Sequence, residues 1–483
     1  MFQVLEDDDR FASILVTGLF LKLISPTLVA FVRMAWASAD PVIIQTHVDM
    51  VCEKNADSLH DFEKQGILAE LVAGWILARN TTLGADNGLG VATAMALFGP
   101  IPSPAPALVL VFTVKEEVSL DGARALSPSV LPRRWLLNLD SEEYGILYIG
   151  SAGGATDILR SKVMRVPLSA GLEPYDLIVD GLAGGHSGAD IHLGHKNALK
   201  VAAEVVAKLF QIELSAQLID FAGGDKDNAI PRLAFVRLGL PSEKVKLLEE
   251  SLRSFESEIR GELTEADKDF RISLKSPGAV EWPEALHEAT RGALQQLLEA
   301  IPHGPLRSSE QVPGLVETSN NLAKVSIAGD TVSVTHFARS AVDAQLAEFR
   351  KKMKDLADST GFQVDYGVQL PGWAPNAKSR LLELSKEVFV ELEGRTPEES
   401  GDVTLGFLPG ILSLAVAAIH AGLECGVFAE KLQGIDMISF GPDIQGAHAP
   451  GEKVEVSSVA RNWELLLGLL ARLAQEPPQR AEL

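Results

Sequence analysis

Five places in the sequence end an apolar run or a glycine loop with side chains that can bind or move charge. His47 and Asp49 follow PVIIQT, Glu116 and Glu117 follow LVLVFTVK, Asp140 closes RWLLNL, Asp86 sits within TTLGADNGLG, and His448 lies downstream of MISF in MISFGPDIQGAHAPGEKV. One acid after an apolar run is ordinarily a solvated turn or a helix cap. Two imidazoles and several carboxylates at such ends form a donor set for a pair of divalent cations. Both donor types suit zinc, and one carboxylate can bridge two ions about 3.5–4 Å apart. In His47-Val48-Asp49 the two-residue period of a strand places both side chains on one face, so Asp49 can orient His47 through its second ring nitrogen.

The glycines around Asp86 raise a competing possibility, because glycines ahead of a helix can cradle a phosphate. Gly84, Gly88 and Gly90 do not make G-x-G-x-x-G, no Lys-Ser/Thr pair follows, and Asp86 repels an anion. A cation is favoured, and dinucleotide binding is disfavoured.

The elements that must position these residues follow from the apolar pattern. PVIIQTHVDMV, ALVLVFTV and RWLLNLD are short apolar runs of strand type, and GVATAMALF between the first two has helical character. Alternating strands and helices predict an α/β fold with a mostly parallel sheet flanked by helices, whose ligands gather at the carboxyl ends of the strands. A chain of 483 residues, 46% hydrophobic and 22% charged, is too long for one core, so two domains are expected.

The formal charge of -22 argues against nucleic acid or an anionic membrane surface as a partner. Cys52 and Cys425 are the only cysteines, which excludes a disulfide framework and fits a reducing, cytoplasmic setting. The start of the chain is atypical. FASILVTGLFLKLISPTLVAFVRMAWASA is interrupted by Lys22, Pro26 and Arg33 into pieces shorter than the roughly 18 apolar residues of a spanning helix. The preceding LEDDDR is acidic where a signal peptide is basic. A buried or irregular segment is expected over residues 1–40, rather than an export signal or anchor.

Taken together, HVDM, TLGADNG, EE after a strand, NLDSEE, GGHSG, NAIPR and GAHAPGE resemble the dinuclear zinc peptidases that include glutamate carboxypeptidase and aminoacylase. HVDMVCEKN, HDF, TTLGADNG, LDSEE, SAGG, IHAGLECG and PGWAPN are similar, in order and spacing, to the aminoacyl-histidine dipeptidase branch, from about Pro41 to Val456. The resemblance implies hydrolysis of dipeptides of the Xaa-His type with broad specificity. It implies two divalent ions per chain, with zinc expected and cobalt or manganese as alternatives. Asp86 would bridge them, His47 and Asp140 completing one site and Glu117 and His448 the other. Glu116 would be the general base for water activated by the ion pair, with Asp49 behind the ligands. A cis peptide is implied after Asp86, with Gly84 and Gly88 supplying backbone freedom and Gly90 allowing close helix packing.

The same resemblance implies an inserted α+β lid over residues 181–370, between catalytic segments 1–180 and 371–483. His186 of GGHSG would stabilise the oxyanion, and Asn228 and Arg339 would recognise the amide and carboxylate of a small peptide. A homodimer through the lid, with His186 completing the neighbouring site, is implied as well. A tripeptidase or an aminoacylase shares these motifs, whereas a non-catalytic metal-binding protein would be favoured only by degraded ligands or base. His60, His192, His195 and His420 match no ligand position and read as structural, and Cys425 reads as core. Relatives carry several tens more residues before the HVD strand, so an edge of the catalytic sheet is expected to be missing or rebuilt.

Overall fold

The computed structural model describes residues 3–6, 11–16, 19–24, 27–32, 39–277, 284–310, 312, 314–394 and 415–478. The chain forms two compact units, Met1–Ser151 with Glu310–Gly314 and Gly372–Leu483, and Ala152–Ser309 with Leu315–Pro371.

Among the described residues the first unit holds a ten-stranded sheet. Its centre runs in the order Leu108–Thr113, Val42–His47, Trp135–Asn138, Asp436–Ser439, all parallel. Every residue of the first three strands is buried, as their continuous apolar runs require of strands covered on both faces. The helices Arg380–Glu393 and Val456–Leu473 pack Leu384, Phe389, Leu466 and Leu469 into one core with Ile44, Leu110 and Leu137.

Both flanks depart from a purely parallel sheet. On one side, Ile146–Ser151 runs antiparallel to Asp436–Ser439 and parallel to Ala415–Ile419. On the other, Gln3–Glu6, Phe11–Val16, Leu19–Ile24 and Thr27–Val32 pair successively antiparallel, and the last pairs with Leu108–Thr113. The sequence pattern predicts a buried or irregular start and a sheet edge either missing or rebuilt. The edge is rebuilt: the apolar pieces separated by Gly18 and Pro26 are each strand length and form regular strands rather than an irregular segment. Among the described residues no helix is long and apolar enough to cross a membrane.

The second unit is α+β. Among the described residues its nine-stranded sheet runs Arg271–Lys275, Leu172–Asp180, Ala234–Pro241, Gln217–Gly223, Val316–Ala328, Thr331–Ser340, Gly153–Lys162, Gln363–Leu370, with Gly304–Ser308 also on Val316–Ala328. The strands between residues 153 and 180 pair only with strands of this unit, Gly153–Lys162 with Thr331–Ser340 and Leu172–Asp180 with Ala234–Pro241, so they group with the segment after residue 181. The helix Ala198–Ile212 starts where the Asn197 side chain accepts the N–H groups of Leu199 and Lys200 at 2.9 and 3.4 Å. Its apolar stripe, including Leu199, Val205, Val206 and Leu209, lies in the core of the unit with Phe221, Leu238 and Leu297.

Candidate metal centre and active site

The candidate residues His47, Asp86, Glu117, Asp140 and His448 converge beyond the carboxyl ends of the parallel strands. His47 ends Val42–His47 and is buried, and Asp140 follows Trp135–Asn138. Glu116 and Glu117 open the short helix Glu116–Ser119, after Lys115 has turned the chain through a left-handed conformation (φ 58°). His448 is also left-handed (φ 62°) and exposed, in the turn before Lys453–Glu455.

Asp86 stands between the two imidazoles. Its Oδ1 is 3.2 Å from His47 Nε2, and its Oδ2 is 3.0 Å from His448 Nε2. Asp140 Oδ1 lies 3.0 Å from His47 Nε2, and Glu117 Oε2 lies 3.0 Å from His448 Nε2. His47 Nδ1 donates to the main-chain carbonyl of Asp49 at 3.0 Å, which leaves Nε2 as the lone-pair nitrogen. A lone pair aimed at two carboxylate oxygens is repulsive unless the ring takes a proton or a cation lies between. Zinc ligands held at about 2.0–2.1 Å in tetrahedral geometry are about 3.3 Å apart, close to the separations here. Glu117 Oε1 is also buried without a hydrogen-bond partner. The donor set, its spacing and this orphaned oxygen fit a pair of divalent ions.

The electrostatics agree. Burial opposes a charged His47 ring, yet the charge of Asp140 and the hydrogen bonds the ring donates to Asp140, Asp49 and Asp86 more than offset it and hold the ring above its ordinary range. His448 is raised to about 11 by its hydrogen bonds to Asp86 and Glu117. Burial, then the opposing pull of His47, leaves Asp140 raised to about 6. Burial and the charge of Asp140 push Glu116 well above the usual carboxylate range. Glu142 is raised to about 8 by burial and the charge of Asp86. Buried acids of this density favour bound positive charge, whether protons on the imidazoles or cations between the ligands.

The Asp49 carboxylate faces His47 and also meets the next strand end. Its two oxygens accept the backbone N–H groups of Glu116 and Glu117, each at 3.2 Å, and its nearer oxygen is 3.7 Å from His47 Nδ1. Two unpaired peptide donors at a helix start draw an anion more strongly than one ring N–H that a carbonyl already satisfies. The peptide bond between Asp86 and Asn87 is cis. Gly84 has φ +72°, and a Cβ on Gly90 would meet Asn87 Oδ1 at 2.1 Å and Thr46 Oγ1 at 2.7 Å. Gly88, in contrast, has open space and no positive φ, so nothing there requires glycine.

Beneath the site runs a buried polar layer that the sequence reading did not identify. Gln45 Nε2 and Thr113 Oγ1 each donate to Glu424 Oε2 at 2.5 Å, Asn138 Nδ2 donates to Gln45 Oε1 at 2.5 Å, and Ser439 Oγ donates to Asn138 Oδ1 at 2.5 Å. One residue from each of the four central parallel strands takes part. Burial raises the Glu424 carboxyl to about 8, against the Thr113 hydrogen bond and with help from the charge of Asp140. The available signal was a Gln and an Asn inside otherwise apolar runs, since buried polar groups require partners. Cys425 is fully buried, as expected of a core residue.

His186, Asn228 and Arg339 lie together in the second unit. Ser187 N–H donates to the Asn228 carbonyl at 2.8 Å, and Arg339 Nη2 is 3.5 Å from Ser187 Oγ. His186 Nδ1 accepts the N–H groups of Gly188 and Ala189 at 3.2 and 3.0 Å, which puts the ring proton on Nε2. Arg339 is buried, packs over Phe337 at 4.3 Å, and is lowered to about 10 by burial, with Asp227 opposing.

Residues 179–269 match the peptidase dimerisation domain. The cytosol non-specific dipeptidase of Escherichia coli (strain K12) is 36% identical over 433 residues, covering 90% of this chain and 85% of that protein. The chain belongs to the M20 family of metal-dependent peptidases. The crystal structure of aminoacylhistidine dipeptidase from Vibrio alginolyticus matches this M20 peptidase with a TM-score of 0.79 and 31% identity, covering 98% of this chain and 89% of that one. The resemblance read from the motifs is borne out, and with it the α/β fold carrying an inserted α+β unit.

Proposed function

We propose that this chain hydrolyses unblocked dipeptides, Xaa-His among them, in the cytoplasm, with two divalent ions held by His47, Asp86, Glu117, Asp140 and His448. The observation that carries the reading is the position of Asp86, whose two oxygens lie 3.2 and 3.0 Å from two different imidazoles, each of which also meets its own carboxylate. Imidazole and carboxylate donors suit zinc, with cobalt and manganese as alternatives. The ions, when bound, supply the positive charge that polarises a peptide carbonyl and makes water acidic enough to attack at neutral pH.

The remaining work belongs to side chains. Glu116 takes the proton from the attacking water at its carboxylate and passes it to the nitrogen of the leaving amine. Asp49 fixes the backbone from which Glu116 and Glu117 project. The catalytic domain comprises the segments on either side of the inserted one. His186, with its proton on Nε2, is a donor for the oxygen that becomes negative during attack, and Asn228 and Arg339 recognise the substrate's amide and terminal carboxylate. The dimerisation-domain match supports a homodimer through the inserted unit; in that arrangement His186 serves the neighbouring site.

The test is a hydrolysis screen of unblocked dipeptides, with and without C-terminal His, alongside tripeptides and N-acyl amino acids, using zinc-, manganese- and cobalt-loaded protein. Preferential cleavage of dipeptides is expected. A preference for tripeptides or acylated amino acids would reassign the substrate within the family.

A further inference from the structure

Glu452 carries no charge-balancing or catalytic role in the site described above, yet its carboxylate is almost fully buried, at 2% exposure. Its Oε2 accepts the N–H groups of Leu83 and Gly84 at 2.7 and 2.9 Å, and its Oε1 accepts those of Ala85 and Asp86 at 2.7 and 3.3 Å. The first N–H groups of a helix have no acceptor within the helix and are ordinarily met by a neighbouring Ser, Thr, Asp or Asn. Here the N-cap is Gly84, which has no side chain to offer. A carboxylate supplied from more than 360 residues away takes four consecutive donors instead, using the full acceptor capacity of an ionised acid.

Convergence of four peptide N–H groups on one anion fixes the path of residues 83–86, not only the start of a helix. Asp86 and Asn87 have non-helical backbone angles within the segment Ala85–Ala96 (Asp86 φ −82°, ψ 109°), so the helix by itself does not determine where the Asp86 side chain points. The same short turn that carries Glu452 also carries His448. Glu452 N–H donates to the Ala449 carbonyl at 3.1 Å, and Gly451 N–H donates to the Thr81 carbonyl at 3.1 Å. One piece of chain therefore delivers an imidazole to one side of Asp86 and holds the backbone of Asp86 on the other.

We infer that Glu452 is a positioning residue, whose buried carboxylate sets Asp86 between His47 and His448 and so governs both metal sites at once. The inference rests on the reading of Asp86 as the carboxylate shared by two ions. Because Asp86 faces both imidazoles, a small displacement of its backbone disturbs both sites, unlike the loss of His448, which touches one.

The experiment compares wild type with Glu452→Gln, each stripped of metal and reloaded with two equivalents of manganese, by metal-binding titration, electron paramagnetic resonance and thermal melting. Wild type is expected to give the spectrum of an exchange-coupled ion pair. Glu452→Gln keeps the size but turns an amide N–H toward peptide donors. It is expected to bind both ions about 10–100-fold more weakly, the range for loss of a group supporting metal ligands, and to give spectra of separate ions. Should Glu452→Gln fail to fold, Glu452→Asp carries the same test, because it keeps the charge and withdraws the clamp by one methylene. A variant that melts earlier but keeps wild-type affinity and the coupled spectrum makes Glu452 a helix cap only and overturns the inference. A wild type with two ions and no coupling overturns the shared-carboxylate reading and the inference together.

Discussion

Replacing Asp49 distinguishes its two possible clients. The His47 ring is held by the Asp49 main-chain carbonyl at 3.0 Å, which survives any substitution, whereas the carboxylate accepts the N–H groups of Glu116 and Glu117 at 3.2 Å each. A hydrogen bond to a charged acceptor contributes about 1.5–3 kcal/mol, and 3.2 Å is at the long end of the range, so about 1.5 kcal/mol is appropriate for each. Asp49→Asn keeps one acceptor oxygen and is expected to lose roughly tenfold in kcat/KM. Asp49→Ala loses both bonds, about 3 kcal/mol, or on the order of 150-fold. The assay is dipeptide hydrolysis at saturating metal, with metal content measured on the same samples. An Asp49→Ala enzyme that turns over at the wild-type rate once saturated, and that has lost affinity for one ion only, would refute this reasoning and return the carboxylate to His47.

Two further expectations concern the second unit. His336 is fully buried, its Nδ1 is 2.9 Å from Asn320 Oδ1, and its Nε2 has no hydrogen-bond partner. Burial lowers it to about 4 from 6.5, so above pH 6.5 the ring is neutral whether folded or not. As the pH falls from about 6.5 to 4 the unfolded chain takes the proton first, and about 3 kcal/mol of stability is lost. Urea unfolding at pH 7 and pH 4.5 should show a larger acid loss for wild type than for His336→Gln; equal losses would show that the ring does not carry the effect. For the trans arrangement, mixing inactive His186→Ala with inactive Glu116→Gln should restore part of the activity when subunits exchange. No recovery after proven exchange would place His186 on its own chain's site, or outside catalysis.

The sequence was most legible where burial and chemistry meet. PVIIQT, LVLVFT and RWLLN are apolar because both faces of the parallel strands are covered, and each run finishes at the carboxyl end of its strand, where His47, Glu116 and Asp140 emerge. What stayed hidden depended on partners distant in sequence or on competition between donors. The strand period placed Asp49 on the face of His47 but could not tell that the peptide N–H groups of residues 116 and 117 would claim its carboxylate. Glu424 and Glu452 find their partners more than 300 residues away, beyond any local pattern. The six-residue apolar pieces before residue 33 are equally compatible with strand or buried helix until their antiparallel pairing is seen.

The division of labour between adjacent glutamates is tested most directly by metal content and turnover of Glu116→Gln and Glu117→Gln measured side by side. Glu116→Gln is expected to keep two ions per chain while kcat falls by about 10²–10⁴-fold, the range for loss of a general base. Glu117→Gln is expected to lose an ion. Equal metal loss in both, or near-normal turnover by Glu116→Gln with its metals in place, would contradict the proposed site.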